Sequence, residues 1–391
     1  MDQNENTDTE SASKTSLESS ENRPGPSRDF LVNYYRDKGR RGIANVGSTC
    51  YINTAVQCLA HNLTLLHFFL NPVASSTQGH KGLMKELQDI LNINWEKGNG
   101  VVPRRFVKVL SIAFDELMNV HDQNDMQEFI ALFVDKLNAS IGTPPLIPNA
   151  MQRQQCSTKN SLDLFYEKAD RSWLLSHRES YSQLVDRLYG QMVNQITCSG
   201  CGDISHVFDT FSTLMVSFAP GKDNVTDNKL QSIGDMIRHS YLQTEHISSR
   251  ECDVCKNKAA QGVRVHRFNR LPSVLMISIK RFDYNMRKIT NPVGVPEELD
   301  LSMACIKLQR PGGAEDIPTS TYKLSSIGCH AGNMGSGHYY AICKHPDGKW
   351  YEYDDDNVSV IDSYGRINSS HYYMLFYELA ESCYSPLREG A

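Results

Sequence analysis

The sequence reads GIANVGSTC over residues 42–50 and YINTAVQCL over residues 51–59. Two glycines in the first segment predict a loop with backbone angles that other residues rarely adopt. Apolar residues then recur at the spacing of an amphipathic helix. They are Ile52, Val56, Leu59 and Leu63. Because Ser48 and Thr49 are suitable N-cap residues, we expect Cys50 to lie at or beside the N-terminus of a helix.

The rest of the chain changes from helical patterns to strand patterns. Three further helical periodicities lie between Leu83 and Leu137, whereas residues 142–178 have no strong period and are expected to be rich in loops. From Val207 onward, runs of β-branched and aromatic residues predict strands, and the clearest run covers residues 274–282. Helices followed by strands indicate an α+β fold.

The composition limits the classes of function. The chain has 391 residues, of which 40% are hydrophobic and 22% are charged, values typical of a globular protein. A formal net charge of -5 does not favour binding to nucleic acid or to an anionic membrane. No apolar run has the ~20 residues that a membrane helix needs. We therefore expect neither nucleic acid nor a membrane as a partner.

The N-terminal segment is polar and contains no aromatic residue before Phe30. Such a segment buries too little apolar surface to offset the entropy of folding, so we predict a disordered acidic and polar tail at residues 1–28. The N-terminus lacks the apolar segment of a signal peptide, which predicts a protein of the cytoplasm, the nucleus or both. The 11 cysteines, an odd number, then argue against a disulfide framework.

Cys50 is a candidate nucleophile. The dipole and free N–H groups of a helix N-terminus stabilise a thiolate, so a base-paired Cys50 is expected to react below the ordinary thiol pKa of about 8.5. A lone cysteine is more often a buried structural residue. Asn45, in the same loop, favours catalysis, because its amide can donate to the oxyanion of a tetrahedral intermediate.

A cysteine nucleophile needs a base and an acceptor that orients the base. His338 follows a glycine-rich turn and opens an apolar strand pattern, whereas His330 precedes that turn, so we prefer His338 as the base. Asp354 ends the next strand pattern, and a hairpin would bring its carboxylate near the imidazole. Three adjacent aspartates at residues 354–356 also fit a solvated turn, and the residues alone leave that alternative open.

Two Cys-x-x-Cys pairs have the spacing of zinc knuckles. The pairs are Cys198 with Cys201 and Cys252 with Cys255. Four thiolates arranged tetrahedrally make a closed structural Zn²⁺ site, with no open position for catalysis. We therefore predict one structural zinc per chain, with redox chemistry or pairs that bind no metal as the alternatives.

Six segments carry a resemblance to one protein family. They are the Cys50 segment, residues 123–129, the two cysteine pairs, residues 279–282, residues 337–340 and residues 350–356. In this order they resemble the ubiquitin-specific protease family of ubiquitin carboxyl-terminal hydrolases, over about residues 42–377. Each segment alone is a weak signal, but six in order are highly specific.

The resemblance implies a catalytic domain at residues 38–380 with a papain-like core in three parts, likened to a hand. A helical thumb would cover about residues 38–190, and zinc-ribbon fingers and a β palm would share residues 191–380. Ubiquitin and ubiquitinated proteins are the implied partners. The C-terminal tail of ubiquitin would thread between thumb and palm to Cys50.

Roles for single residues also follow from the resemblance. Cys50 would attack the carbonyl of the last glycine of ubiquitin, and His338 would take the thiol proton and return it to the leaving lysine amine. Asp354 would orient His338, and Asn45 would donate to the oxyanion. Asp355, the second aspartate of its motif, would assist the oxyanion or the active-site water.

Two further residues are implied in binding the ubiquitin tail. Asp125 is similar to an acidic residue that binds the tail backbone, and Tyr339 would wall a channel too narrow for any residue but glycine. The sequence departs from the family pattern at Ser48, where asparagine is usual, and at Asn124, where glutamine is usual. These departures concern the positioning of the site and leave nucleophile, base and acceptor in place.

The function implied by the resemblance is a deubiquitinating thiol protease. A ubiquitin-binding scaffold with weak or no catalysis, and a protease for a ubiquitin-like modifier, are the alternatives. A zinc-ribbon module for nucleic acid is disfavoured, because the charge between the two cysteine pairs is mixed rather than basic. Members of this family often depend on an activating protein partner, although no feature of this sequence identifies one.

Overall fold

A computed structural model of the chain describes residues 26–71, 81–147, 161–219, 230–309, 315–316, 320–333 and 335–380. We predicted a tail at residues 1–28, and residues 1–25 of it lie outside the described residues. The first helix begins at Arg28 and buries Leu31 and Tyr35 in the main core. The folded part therefore begins before the predicted domain boundary at residue 38. No helix within the described ranges is long and apolar enough to cross a membrane.

The first half of the described chain is helical, as predicted. The α-helices are α1 (Arg28–Tyr35), α2 (Cys50–Ala60), α3 (Leu63–Leu70), α4 (Lys81–Leu91), α5 (Arg104–Phe114), α6 (Met126–Ile141), α7 (Ser161–Ser176), α8 (Gln183–Leu188) and α9 (Ile233–Tyr241). All residues of α2 are buried, as expected for a helix that has neighbours on every side. This helix packs against α3, α6 and the large sheet described next.

The second half is built of strands. They are β1 (Gly190–Cys198), β2 (Ile204–Phe211), β3 (Thr213–Val216), β4 (Gln231–Ser232), β5 (Glu245–Arg250), β6 (Ala260–Arg270), β7 (Val274–Ile279), β8 (Val293–Gly294), β9 (Glu298–Asp300), β10 (Leu308–Gln309), β11 (Glu315–Asp316), β12 (Thr321–Asn333), β13 (Ser336–Lys344), β14 (Trp350–Asp354), β15 (Asn357–Ile361) and β16 (Tyr372–Leu379). The large sheet has the order β15-β14-β13-β12-β16-β7-β3, with β9 against β12, and the second sheet has the order β2-β1-β6-β5.

The large sheet is covered on both faces, which explains why one of its strands was so clear in the sequence. Successive residues of a strand point to opposite faces. In β7, Met276 belongs to the core cluster that contains α2, whereas Leu275 and Ile277 belong to a second cluster that contains residues of α9. A strand that is buried on both faces reads as a continuous apolar run.

The stretch predicted to be rich in loops contains a helix, so that prediction was wrong for residues 161–176. Phe165, Ala169 and Trp173 are buried and recur every four residues, which is helical spacing. Charged and polar residues separate them, and this weakened the apolar pattern in the sequence. The helix, α7, packs against β2 and so connects the helical half to the second sheet.

Candidate active site

Cys50 is the first residue of α2 and is almost fully buried. The side chain of Thr49 forms no capping hydrogen bond with the helix. Its Oγ1 accepts from the N–H of Val46 and donates to Asn45 Oδ1, both at 3.1 Å. Thr49 therefore closes the turn before the nucleophile and leaves the N–H groups of the first helical turn directed at the sulfur.

The electrostatic environment of Cys50 differs from the expectation. Burial raises the pKa of the Cys50 thiol above its ordinary value, the peptide group of Tyr339 acts in the opposite direction, and the carboxylate of Asp355 raises the pKa further. Desolvation of the thiolate thus outweighs the stabilising effect of the helix N-terminus. Within this environment the thiol is therefore harder to ionise than an ordinary cysteine.

The candidate base, His338, and its candidate acceptor, Asp354, lie on neighbouring strands. β13 and β14 pair antiparallel, and the turn at residues 345–348 joins them as predicted. His338 Nε2 lies 2.5 Å from Asp354 Oδ1, and both side chains are about half exposed. An ionised carboxylate only accepts hydrogen bonds, so Nε2 is the donor in this contact and Nδ1 is the ring nitrogen that remains outside it.

The base and the nucleophile are neighbours through the main chain. Tyr339, which follows His338 on β13, brings its peptide group close enough to Cys50 to affect the thiol pKa. Within the described residues, the imidazole and the sulfur form no hydrogen bond with each other. The strand that carries the half-exposed imidazole of His338 therefore reaches the buried thiol through the peptide group of Tyr339, and the described structure holds no preformed ion pair between the two side chains.

A carboxylate joins the nucleophile loop to the strand that carries the acceptor. Asp355 lies in the turn between β14 and β15. Its Oδ2 accepts from Asn45 Nδ2 at 2.9 Å, and its Oδ1 accepts from Asn53 Nδ2 at 2.8 Å. Our sequence reasoning missed Asn53. The available signal was a polar amide one helical turn after Cys50, in a helix that is otherwise largely apolar.

These residues form one continuous group between the helical half and the large sheet, and we call the group the catalytic seam. Its members are Asn45, Cys50, Asn53, His338, Asp354 and Asp355.

The two residues expected to bind the ubiquitin tail lie close to each other. Asp125 caps α6, because its Oδ1 accepts from the N–H groups of Gln127 at 2.8 Å and Glu128 at 3.1 Å. Its Oδ2 accepts from the hydroxyl of Tyr373, which the sequence did not single out. The buried ring of Tyr339 lies 5.8 Å from the ring of Tyr373. Asp125 and Tyr339 thus belong to one wall beside Cys50.

A second histidine completes this wall and is unsuited to act as a base. The ring of His330 is buried, 4.6 Å from that of Tyr339. Burial, together with the nearby charge of Lys288, lowers the pKa of His330 to about 4, so it stays neutral near pH 7. A Cβ atom at Gly337 would lie 2.0 Å from His330 Nε2. The position before His338 therefore requires glycine.

One departure from the family pattern has a structural role. Asn124 Nδ2 donates to the hydroxyl of Tyr51 at 3.0 Å and to the carbonyl of Asn119 at 2.8 Å. Tyr51 follows the nucleophile, so Asn124 fixes the loop before α6 against the start of α2.

The four cysteines predicted to bind metal meet at one end of the second sheet. Their sulfurs lie within 4.8 Å of one another, and none is in a disulfide. Two of the sulfur–sulfur distances are 3.7 Å and 4.0 Å, close to the ~3.8 Å of a tetrahedron with Zn–S bonds of about 2.3 Å. The donors therefore fit one four-coordinate metal ion. We call Cys198, Cys201, Cys252 and Cys255 the cysteine tip.

The two halves of the cysteine tip have the same backbone shape. The N–H of Gly202 donates to the carbonyl of Cys198, and the N–H of Lys256 donates to that of Cys252, both at 2.9 Å. Gly202 and Lys256 both have a positive φ, of 74° and 56°. Each pair thus lies in a tight turn that directs both of its sulfurs to the same point.

The chain is similar to proteins of one family. A family model described as "Ubiquitin carboxyl-terminal hydrolase" matches residues 41–377. "Ubiquitin carboxyl-terminal hydrolase Usp2" of Drosophila melanogaster is 29% identical over 352 residues, which are 88% of this chain and 35% of that protein. "Ubiquitin carboxyl-terminal hydrolase 2" of Bos taurus is 28% identical over 371 residues, 91% of this chain and 57% of that protein. The chain thus spans about a third to just over half of the length of these relatives.

The fold is similar to that of a solved structure described as "Structure of the SAGA Ubp8/Sgf11/Sus1/Sgf73 DUB module bound to ubiquitin aldehyde". The TM-score is 0.64 at 21% sequence identity, and the match covers 89% of this chain and 71% of that chain. This confirms the predicted α+β fold, a papain-like core with a helical thumb, a β palm and fingers that end in the cysteine tip. Since the family model matches most of its length, the chain belongs to the ubiquitin carboxyl-terminal hydrolase family.

Proposed function

We propose that this chain is a cysteine-type deubiquitinase, which hydrolyses the peptide or isopeptide bond after the C-terminal glycine of ubiquitin on protein conjugates. The observation that carries the proposal is the 2.5 Å contact between His338 Nε2 and Asp354 Oδ1, beside the helix that begins at Cys50. These are the base, acceptor and nucleophile that a thiol protease requires. The relatives named above are ubiquitin carboxyl-terminal hydrolases, and the Ubp8 module was solved with ubiquitin aldehyde.

The reaction begins with proton transfer from the Cys50 thiol to His338 Nδ1. The sulfur attacks the carbonyl carbon of the last glycine, and the carbonyl oxygen becomes an oxyanion that accepts from Asn45 Nδ2. Collapse of this intermediate breaks the C–N bond, and the leaving amine takes the proton from His338. Water, deprotonated by the same nitrogen, then hydrolyses the thioester and releases the carboxylate of ubiquitin and the free thiol.

The raised pKa of Cys50 decides how the first proton moves. Since burial raises the pKa of the free thiol, we propose that the proton leaves the sulfur when the substrate carbonyl is in place rather than in the resting enzyme. The contact with Asp354 stabilises the imidazolium that forms at this moment. His338 therefore acts as a general base during the attack.

We further propose that Asp125 and Tyr339 bind the C-terminal tail of ubiquitin. Asp125 Oδ2 accepts one hydrogen bond from Tyr373, and a carboxylate oxygen has a second lone pair for a peptide N–H. The peptide group of Tyr339 lies close to the sulfur and its ring is buried, so we expect this residue to leave little room for a substrate side chain. Two consecutive glycines at the end of the substrate tail satisfy this restriction.

The cysteine tip is proposed to hold one structural Zn²⁺. Four sulfur donors at tetrahedral spacing are typical of closed zinc sites, which stabilise folds and leave no position for a reacting water. When bound, the ion supplies a crosslink between the two turns. These turns, in their own right, direct the four sulfurs and orient the ends of β1 and β6.

The cellular context stays a prediction. We expect the protein to act on ubiquitinated proteins in the cytoplasm, the nucleus or both. An activating protein partner is also expected in this family, and the Ubp8 module was solved together with Sgf11, Sus1 and Sgf73. Our proposal for this chain does not depend on such a partner.

The test is the reaction with ubiquitin that carries a C-terminal vinyl sulfone. We expect a covalent adduct with one ubiquitin per chain, located on Cys50 by peptide mass spectrometry and absent in Cys50→Ala. Cys58→Ala is the matched control, because Cys58 is a buried cysteine of the same helix and its loss should leave the adduct intact.

Each other outcome favours a different function. Binding of ubiquitin without an adduct would indicate a scaffold. An adduct only with a probe built on a ubiquitin-like modifier would identify a different substrate.

A further inference from the structure

Asn53 is a buried amide whose two N–H groups are both used. The side chain is on α2, one helical turn after Cys50, and is 3% exposed. Its Nδ2 donates to Asp355 Oδ1 at 2.8 Å and to the carbonyl of Ile43 at 3.0 Å. One side chain thus connects the nucleophile helix, the loop before it and the turn after β14.

The carboxylate that Asn53 holds also contacts Asn45. Asp355 Oδ2 accepts from Asn45 Nδ2 at 2.9 Å. The other end of the Asn45 amide is fixed as well, because its Oδ1 accepts from the N–H groups of Gly47 at 3.1 Å and Thr49 at 3.3 Å. An amide NH₂ is planar, so fixing the oxygen and one N–H sets the direction of the second N–H.

The backbone around Asp355 is shaped to permit these contacts. Asp355 has a φ of 52°, a left-handed conformation that is uncommon outside glycine and persists where the surroundings enforce it. Its carbonyl accepts from the N–H of Ile43 at 2.9 Å, and a Cβ atom at Gly42 would lie 2.4 Å from that carbonyl oxygen. The turn at Asp355 and the loop at Gly42 are therefore in direct backbone contact.

The orientation of Asn53 carries a desolvation cost. Its Oδ1 is buried and has no hydrogen-bond partner in the described part of the chain. An unpaired buried carbonyl destabilises a folded protein, and such exceptions concentrate at functional sites.

We infer that Asn53 is a positioning residue for the oxyanion donor, Asn45. Asn53 fixes the carboxylate of Asp355, and this carboxylate in turn fixes the amide of Asn45. The second N–H of the Asn45 amide then points to the oxygen of the reacting carbonyl. The inference rests on the proposed function. It gives Asp355 an indirect role, through Asn45. Asn45 is exposed, and its second N–H is accessible to a substrate.

A purely structural role for Asn53 makes a different prediction, and Gln57 is the matched control. Gln57 is a buried amide one turn further along α2, and its Nε2 donates to the carbonyl of Arg41 at 3.0 Å. It holds the same loop as Asn53 but does not contact Asp355. If Asn53 acted only by holding the loop, Gln57→Ala and Asn53→Ala would have the same kinetic effect.

The experiment is a double-mutant cycle with a ubiquitin C-terminal fluorogenic amide. We expect Asn53→Ala to lower kcat by about ten- to a hundredfold, with KM changed by less than about twofold. Gln57→Ala should change kcat by less than about threefold. In the Asn45→Ala background, Asn53→Ala should have almost no further effect, because the donor that it positions is absent.

A second readout separates positioning from damage to the fold. Alkylation of Cys50 by iodoacetamide forms no oxyanion, so its limiting rate at high pH, where the thiol is fully ionised, should be the same in Asn53→Ala and in the unsubstituted chain. If Asn53→Ala does not fold, Asn53→Ser replaces it in the cycle, because serine is too short to reach Asp355.

Additive losses of kcat, or parallel losses in Gln57→Ala, would overturn the inference while leaving the protease intact. Absence of ubiquitin cleavage by the unsubstituted chain would instead overturn the proposed function, and the inference with it.

Discussion

The catalytic seam and the cysteine tip both bring distant side chains together, but by different means. In the seam, hydrogen bonds of 2.5 to 2.9 Å connect the nucleophile loop, α2 and the β14–β15 turn through protein atoms alone. In the tip, sulfurs as close as 3.7 Å and 4.0 Å converge from two turns, and thiolates at such distances repel one another unless a cation lies between them. The seam is connected by protein hydrogen bonds, whereas we expect the tip to depend on a bound ion.

The largest effect should come from breaking the seam at Asp354. In Asp354→Ala, His338 Nε2 loses its acceptor, and neither the ring orientation nor the imidazolium is stabilised. We expect kcat for a ubiquitin C-terminal fluorogenic amide to fall by about a hundredfold or more. The zinc content should be unchanged, because the tip is a separate region.

Asp354→Asn is the matched variant for this prediction. Its side-chain oxygen still accepts from Nε2, so orientation is kept and only the charge is lost. We expect it to recover most of the activity that Asp354→Ala loses. Equal activity of Asp354→Ala and the unsubstituted chain would show that His338 does not depend on this contact.

A smaller effect on catalysis, but a larger one on stability, should follow from breaking the tip. Cys201→Ser removes one of four sulfur donors, and we expect zinc content, measured by atomic emission, to fall well below one per chain. The melting temperature should drop by several degrees, because a structural zinc site contributes folding free energy. The KM for the ubiquitin substrate should rise, whereas kcat should change by less than about twofold.

The control for the tip is Cys305→Ser. Cys305 is a buried cysteine outside the tip, and its Sγ donates to the carbonyl of Leu301 at 3.4 Å. A serine hydroxyl can replace that donor, so zinc content and KM should not change. Full zinc content in Cys201→Ser would contradict the assignment of the tip as the metal site.

The sequence predicted the two regions to different depths. The spacing of the cysteine pairs was enough for the tip, because two turns of the Cys-x-x-Cys type need only local geometry to direct their sulfurs. In the seam, the motifs indicated Cys50, His338 and Asp354 separately. Asn53 was missed, because its role depends on Asp355, a residue that reaches it only through the pairing of β14 with β13 and the packing of β13 on α2.

Two further features of the structure could not be predicted from the sequence, for physical reasons. The helix α7 was hidden because its buried positions at residues 165, 169 and 173 are separated by charged and polar residues. The direction of the pKa shift of Cys50 was also misjudged. A helix N-terminus is visible in a sequence, whereas the extent of burial, which raises this pKa, appears only when strands from the second half cover the sulfur.

The smallest expected effect concerns the pH dependence of Cys50 alkylation. This effect sharpens the comparison, because it measures how well the seam stabilises a thiolate without a metal ion. A raised pKa means less thiolate at neutral pH, so the rate of alkylation of Cys50 by iodoacetamide should increase by about tenfold per pH unit from pH 7 to 9. It should not level off below about pH 9. The rate is measured from the mass of the peptide that contains Cys50.

Asp355→Asn tests the electrostatic part of this shift. Its carboxylate raises the pKa of Cys50, so removing the negative charge should move the alkylation profile to lower pH by less than about one unit. Asp356→Asn, at the next aspartate of the same turn, should leave the profile unchanged. A plateau below pH 7 in the unsubstituted chain would indicate a resting thiolate–imidazolium pair. In that case the seam would stabilise a sulfur anion by protein contacts alone, whereas the tip is proposed to do so with a metal ion.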